Sequence, residues 1–207
     1  MAIRLQEMHP AFVHLPIALL PLAVGADVIG CLTDNKSALS FGQKAICIAA
    51  AGAVASAVTG LIAGEEINVE GASEDMLITH RNLNFIATVV TTSMALWRVN
   101  HPKPNATYLS VGAAGVGVLA YTAYLGGKLV YHVGVGVERA HGVYRSDAPA
   151  LKSGQVGSFV KTAGTDLFHG VQHLIREVAK GRLIPTIMAS LRKQPQVPER
   201  SDAGTPA

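Results

Sequence analysis

MHPAFVHLPIALLPLAVGADVIGCL, residues 8–32, is a long apolar run with two histidines at one end and a carboxylate, Asp27, near the other. A bilayer span needs about 20 predominantly apolar residues, and this run is long enough. Pro10 suits the first turn of a helix, where its missing N–H would be unpaired anyway, so we predict a helix that begins near Pro10. His14 then lies about one turn inside the helix, near the membrane surface. Because ionisable groups at that depth are costly and usually functional, this histidine is expected to have a partner.

The composition of the 207-residue chain is that of an integral membrane protein. Only 15% of its residues are charged and its mean hydropathy is +0.33, whereas soluble domains carry about 25% charged residues. The net charge of +3 is small and unevenly spread, so nothing indicates a nucleic-acid partner. Cys31 and Cys47 do not make a disulfide framework, and no Cys-x-x-Cys-His motif offers covalent attachment of haem.

Further apolar runs predict an all-α fold, an integral membrane four-helix bundle with up-down-up-down topology, followed by an amphipathic helix and a disordered tail. The predicted transmembrane domain covers residues 8–137, with spans at about residues 11–32, 45–64, 80–99 and 108–132. In residues 138–193, apolar side chains recur at helical spacing beside several basic ones, which favours a helical segment in solution, on the membrane surface or on a partner subunit. Residues 194–207 are polar and proline-rich, as in disordered tails.

The alternating direction of the four spans sorts the histidines of the membrane domain to one surface. The first and third helices start on the side of the membrane on which the second and fourth helices end. On that side lie the four histidines associated with helices and two glutamates, namely His9, His14, His80, His132, Glu65 and Glu66. Imidazoles from different helices of a bundle hold b-type haem as axial ligands. We therefore predict haem b as the cofactor, with His14, His80 and His132 as preferred ligands and His9 as a fourth candidate.

Other uses of this cluster stay open at the level of sequence. Three histidines with Glu65 or Glu66 would also suit a single iron, zinc or copper ion, and a cluster of histidines and glutamates at a membrane surface can pass protons. If each histidine only caps or hydrogen-bonds a helix end, the protein is a cofactor-free structural or assembly subunit of a membrane complex. No nucleophile–base pair or substrate motif indicates an enzyme that acts on its own.

The opposite surface of the predicted bundle carries the remaining charges. Asp27 lies near that surface, either as an interfacial side chain without a role or as the partner of Lys44. The loops there contain four basic residues, Lys36, Lys44, Arg98 and Lys103. By the positive-inside rule, this surface faces the cytoplasm and the histidines lie outside.

Three motifs in the chain resemble those of a bacterial family of membrane proteins known as domain of unknown function 2231. They are HPAFVHLPIAL at residues 9–19, THRNL at residues 79–83 and YLGGKLVYHVGVGV at residues 124–137. The resemblance covers roughly residues 8–140 and implies a four-helix membrane domain whose characteristic histidines correspond to His9, His14, His80 and His132. Because some members carry Rieske iron–sulfur or cytochrome c domains, the resemblance implies a redox setting in the bacterial inner membrane, with other membrane subunits or redox proteins as partners besides the lipid bilayer. Neither kind of domain is expected in this sequence.

Overall fold

Six helices account for most of the computed structural model, which describes residues 3–135, 150–151 and 154–191. The helices are α1 (Leu5–Thr33), α2 (Lys36–Glu65), α3 (Ala72–Asn100), α4 (Ala106–Tyr131), α5 (Val156–Ala179) and α6 (Pro185–Leu191). Two residues near the start, β1 (Ile3–Arg4), pair antiparallel with β2 (Ala150–Leu151). The tail predicted over residues 194–207 lies outside the described residues, as do residues 136–149.

Three of the helices are long and apolar enough to cross a membrane, namely α1 from Met8, α2 and α4. The third predicted span, residues 80–99, falls within α3, which is not among them. Charged and amide side chains occupy both ends of α3, and threonines occupy its middle. These polar groups lower the mean hydropathy of α3 below that of its neighbours, although the helix is as long as α1.

Local sequence signals set most of the helix ends. Asn105 caps α4, because its side chain accepts a hydrogen bond from the backbone N–H of Tyr108. Gly134, with a φ of 81°, follows the last turn of α4, in the left-handed conformation that commonly ends a helix. The first helix begins at Leu5 rather than near Pro10 and continues through all three of its prolines. Prolines are tolerated in membrane helices because neighbouring groups satisfy the backbone carbonyls that they leave unpaired.

Small residues bring α1 and α2 into close contact. A Cβ atom added at Gly52 would lie 2.5 Å from Cβ of Leu15, and one added at Gly42 would overlap the carboxylate of Asp27. Helices α3 and α4 pack against each other, α3 also packs against α2, and α4 also contacts α1. The buried core between them includes Leu20, Ile46 and other small or aliphatic side chains. Close packing through small residues is a common way in which helices associate in lipid.

A buried ion pair joins α1 to α3. Both Asp27 and Arg98 are 0% exposed, and Nη2 of Arg98 donates to Oδ1 of Asp27 at 2.9 Å while Nε donates to Oδ2 at 3.3 Å. Nη2 also donates to the carbonyl oxygen of Leu39, at 2.9 Å. The partner of Asp27 is thus Arg98 and not Lys44, because α3 continues to Asn100 and carries the guanidinium to the depth of the carboxylate.

Candidate functional site

The main candidate site is a cavity of about 290 Å³ between the first four helices. Its walls come from the start of α1, the end of α2, the start of α3 and the end of α4, so it lies toward one end of the helices. Most of the lining is aliphatic or small, with His9, His80, Arg81 and Asn84 among its few polar side chains. Ligand sites in proteins are typically apolar cavities of about 300–1,000 Å³ with a small number of placed polar groups, and this cavity has that character.

Two imidazoles from different helices meet in this cavity. The ring centres of His9 on α1 and His80 on α3 are 6.4 Å apart, and the ring planes are nearly perpendicular, at 87°. Nδ1 of His9 lies 2.9 Å from the carbonyl oxygen of Ser56 on α2, and Nδ1 of His80 lies 2.9 Å from that of Thr122 on α4. All four helices therefore contribute to holding this pair of rings.

These two hydrogen bonds determine which nitrogen of each imidazole is available to bind a ligand. A carbonyl oxygen can only accept, so Nδ1 of each ring is the donor and carries the proton. In a neutral imidazole the other nitrogen, Nε2, then carries the lone pair, as it does in a histidine that binds a metal; at His80 this nitrogen also lies 3.3 Å from the amide nitrogen of Asn84. A second-shell carbonyl on Nδ1 is also the usual device that orients such a ligand and raises its basicity. His9 and His80 are both arranged in this way.

Glycines make room for both rings. A Cβ atom added at Gly60 of α2 would lie 2.8 Å from Cε1 of His9, and one added at Gly126 of α4 would lie 3.0 Å from Cε1 of His80. Any larger residue would push the imidazole away from its carbonyl partner. The nearest neighbour of Gly60 from another helix is thus the ring of His9.

The other predicted site residues lie elsewhere. His14 is exposed on α1, and His132 is exposed at the C-terminal cap of α4; neither lines the cavity. Oε1 of Glu65 lies 2.8 Å from Nδ1 of His173 on α5, and Glu66 is fully buried at the end of α2. Of the predicted set, the structure therefore brings together His9 and His80.

Two polar residues beside His80 were not singled out from the sequence. Nδ2 of Asn84 donates to the carbonyl oxygen of His80 at 2.8 Å and lies 3.3 Å from both ring nitrogens. Arg81 also lines the cavity, and its Nη2 is buried without a hydrogen bond to the described part of the chain. Asn84 could have been identified from its i+4 spacing from His80, because this spacing places the two side chains on one face of a helix.

His9 and His80 are the two imidazoles that line the cavity, and two nitrogens alone make a small donor set for a bare metal ion. Within residues 3–135, 150–151 and 154–191 no three His, Cys, Asp or Glu side chains are grouped closely enough to hold a metal ion.

A family model described as a predicted membrane protein (DUF2231) matches residues 6–139, which include all four helices around the cavity. The chain belongs to this family. The match covers both cavity histidines of this DUF2231 member and ends before α5. No curated protein and no solved structure matches the chain.

Proposed function

We propose that this membrane protein binds b-type haem between His9 and His80 and carries electrons within a larger redox complex of the bacterial inner membrane. The observation that carries the proposal is the pair of neighbouring imidazoles, each fixed through Nδ1 to a backbone carbonyl on a further helix. Haem needs only two protein ligands because its porphyrin supplies four nitrogens.

The donor set favours haem over a non-haem metal. An iron, zinc or copper ion without a porphyrin takes at least three protein ligands in most sites. The sequence suggested further donors for such an ion, but these side chains do not line the cavity with His9 and His80. They are His14, His132, Glu65 and Glu66. The same separation weakens the proton-relay alternative, since a relay needs its groups within hydrogen-bond reach of one another.

The cavity residues have distinct roles in this proposal. His9 and His80 offer the lone pairs of Nε2, and the carbonyls of Ser56 and Thr122 hold the rings in place. Arg81 offers a guanidinium N–H without a partner among the described residues, and a carboxylate such as a haem propionate would satisfy it. Haem iron supplies the one-electron chemistry when it is bound. The apolar lining excludes water from the space around the two imidazoles.

We further propose that the first four helices form an up-down-up-down bundle in the membrane. The cavity is lined by the starts of α1 and α3 and the ends of α2 and α4, as alternating helix directions require. The other end of the bundle carries Lys36, Lys44 and Lys103. The positive-inside rule then places that end in the cytoplasm and the cavity near the periplasmic surface.

The proposal is tested by the haem content of single variants purified from bacterial membranes. His9→Ala and His80→Ala should each lose most of the bound haem, because each would remove one of the two imidazoles that hold it in this proposal. His14→Ala and His132→Ala are matched controls, since both histidines are exposed and lie outside the cavity, and they should retain it.

Loss of haem through misfolding is distinguished by chemical rescue. His80→Gly leaves space for free imidazole, which should restore the low-spin spectrum if the ring acts as a ligand. Equal haem content in all four alanine variants would refute the assignment. Loss of haem only in His14→Ala or His132→Ala would contradict the assignment and would indicate that the exposed histidines bind the haem.

A further inference from the structure

Helix α5 has three faces, of which one packs against the rest of the protein and two are exposed. Asp166, Gly170 and Glu177 are its buried residues and lie within about 40° of one another around the helix axis. An added Cβ atom at Gly170 would be 2.8 Å from the carbonyl oxygen of Leu61, so the backbones of α5 and α2 are in close contact there. The helix therefore packs on α2 through a small and polar face.

The apolar face of α5 points elsewhere. It lies roughly 130° around the helix from the packed face. Its side chains include Val160, Phe168 and Ile175, each 60% exposed, and Val171 and Val178, exposed by 40% and 44%. Amphipathic helices normally turn the apolar stripe toward the protein core. Here the described part of the chain leaves the stripe uncovered.

The point at which α5 contacts α2 indicates the depth of α5 relative to the membrane. Leu61 lies about one turn before the end of α2, which is a candidate membrane span of 30 residues. At about 1.5 Å per residue, α2 is roughly 45 Å long and exceeds a hydrocarbon core of about 30 Å. The contact with Gly170 is thus close to one membrane surface.

Polar contacts hold α5 in that position. Glu65 at the end of α2 pairs with His173. Just beyond α5, Arg182 donates to Asp75 of α3 at 2.7 Å and to Glu177 at 2.7 Å. Asn82 of α3 donates to the carbonyl oxygen of Leu183 at 2.9 Å. The helix is therefore fixed to the membrane domain at its packed face and at its C-terminal end.

The third face of α5 is basic and exposed, with Lys161 and Arg176 on the side of the apolar stripe away from α2. Helices with an apolar stripe beside basic side chains lie in the plane of the membrane interface, where the stripe enters the acyl boundary and the cations meet the headgroups. We infer that α5 is an interfacial helix whose Val160–Val171–Val178 stripe is immersed in lipid beside the end of α2. This inference is independent of any cofactor.

Depth-dependent quenching by brominated lipids tests the inference on the full-length protein in nanodiscs. In a Trp97→Phe background, which removes the single native tryptophan, Phe168→Trp places a fluorophore on the exposed apolar side. His169→Trp places the matched control one residue further, on the polar side. The emission of Phe168→Trp should be quenched several-fold more strongly than that of His169→Trp. Equal quenching of both, or quenching of neither, would overturn the inference.

Cysteine labelling supplies a second readout that also detects a protein partner. In a background without native cysteines, Val171→Cys should react slowly with a membrane-impermeant maleimide in nanodiscs, whereas Gln172→Cys should react rapidly. Similar rates for the two variants in nanodiscs would overturn the inference. So would protection of Val171→Cys in native membranes but not in nanodiscs, because that pattern assigns the face to another protein.

Discussion

Replacing Asp27 by asparagine should destabilise the protein strongly, because it removes the charge that compensates a fully buried guanidinium. The variant leaves Arg98 at 0% exposure without its carboxylate partner and disturbs two hydrogen bonds, of 2.9 and 3.3 Å. Breaking a buried ion pair by removing one partner costs about 3–5 kcal/mol. For a chain of this length each kcal/mol lowers Tm by about 2–4 °C, so we expect a drop of roughly 6–20 °C.

Thermal unfolding in detergent, followed by far-UV circular dichroism, measures this shift. Asp34→Asn is the matched control, because Asp34 also forms an ion pair, with Lys103 at 2.7 Å, but both side chains are largely exposed. Exposed pairs contribute little, so the control should leave Tm almost unchanged. The double variant Asp27→Leu with Arg98→Met should recover much of the lost stability, since no buried charge remains. A Tm for Asp27→Asn equal to that of Asp34→Asn would refute the reasoning.

Three further predictions follow from individual contacts. Gly60→Ala and Gly126→Ala should each displace a cavity imidazole and reduce haem content, whereas Gly117→Ala, with open space around it, should retain it; pyridine haemochrome assays measure all three. Tyr108→Phe should lower Tm by no more than about 4 °C, because the buried hydroxyl interacts with the carboxylate of Asp27 but one hydrogen bond contributes only about 1 kcal/mol and Arg98 still pairs with that carboxylate; a drop as large as that of Asp27→Asn would contradict this. Burial raises the pKa of Glu177, but its hydrogen bond from a neighbouring lysine and the charge of a nearby arginine outweigh this and hold the pKa below the usual 4.5. The stabilisation from this carboxylate is therefore complete above pH 4.5 and is lost as the pH falls further, and hydrogen exchange across α5 should accelerate there but not between pH 6 and 8.

The sequence predicted long helices and assigned His9 and His80 to the same end of them, but not the direction in which each histidine points. His9 and His14 are five residues apart, which separates them by roughly 140° around α1, so they cannot both face the same cavity. The side of α1 that faces the core and the side that faces lipid are both apolar, so no amphipathic stripe reveals the phase of this helix. The alternating helix directions therefore assigned both histidines to one cluster, although they lie on different sides of α1.

Two other features required tertiary information. Arg98 was counted as a loop charge, although α3 carries it into the interior to meet Asp27. The amphipathic period of α5 was visible in the sequence, but its apolar stripe did not identify the face that packs on α2. That contact depends on the absence of a side chain at Gly170 and on polar partners such as His173, which periodicity does not register.

The reduced-minus-oxidised visible spectrum of the wild-type protein, purified from its native membrane with a pyridine haemochrome assay for stoichiometry, tests the central claim most directly. The pairing of His9 with His80 predicts a sharp b-type α-band and about one haem per chain. The absence of a Soret band from protein isolated with its native partners would contradict the haem assignment.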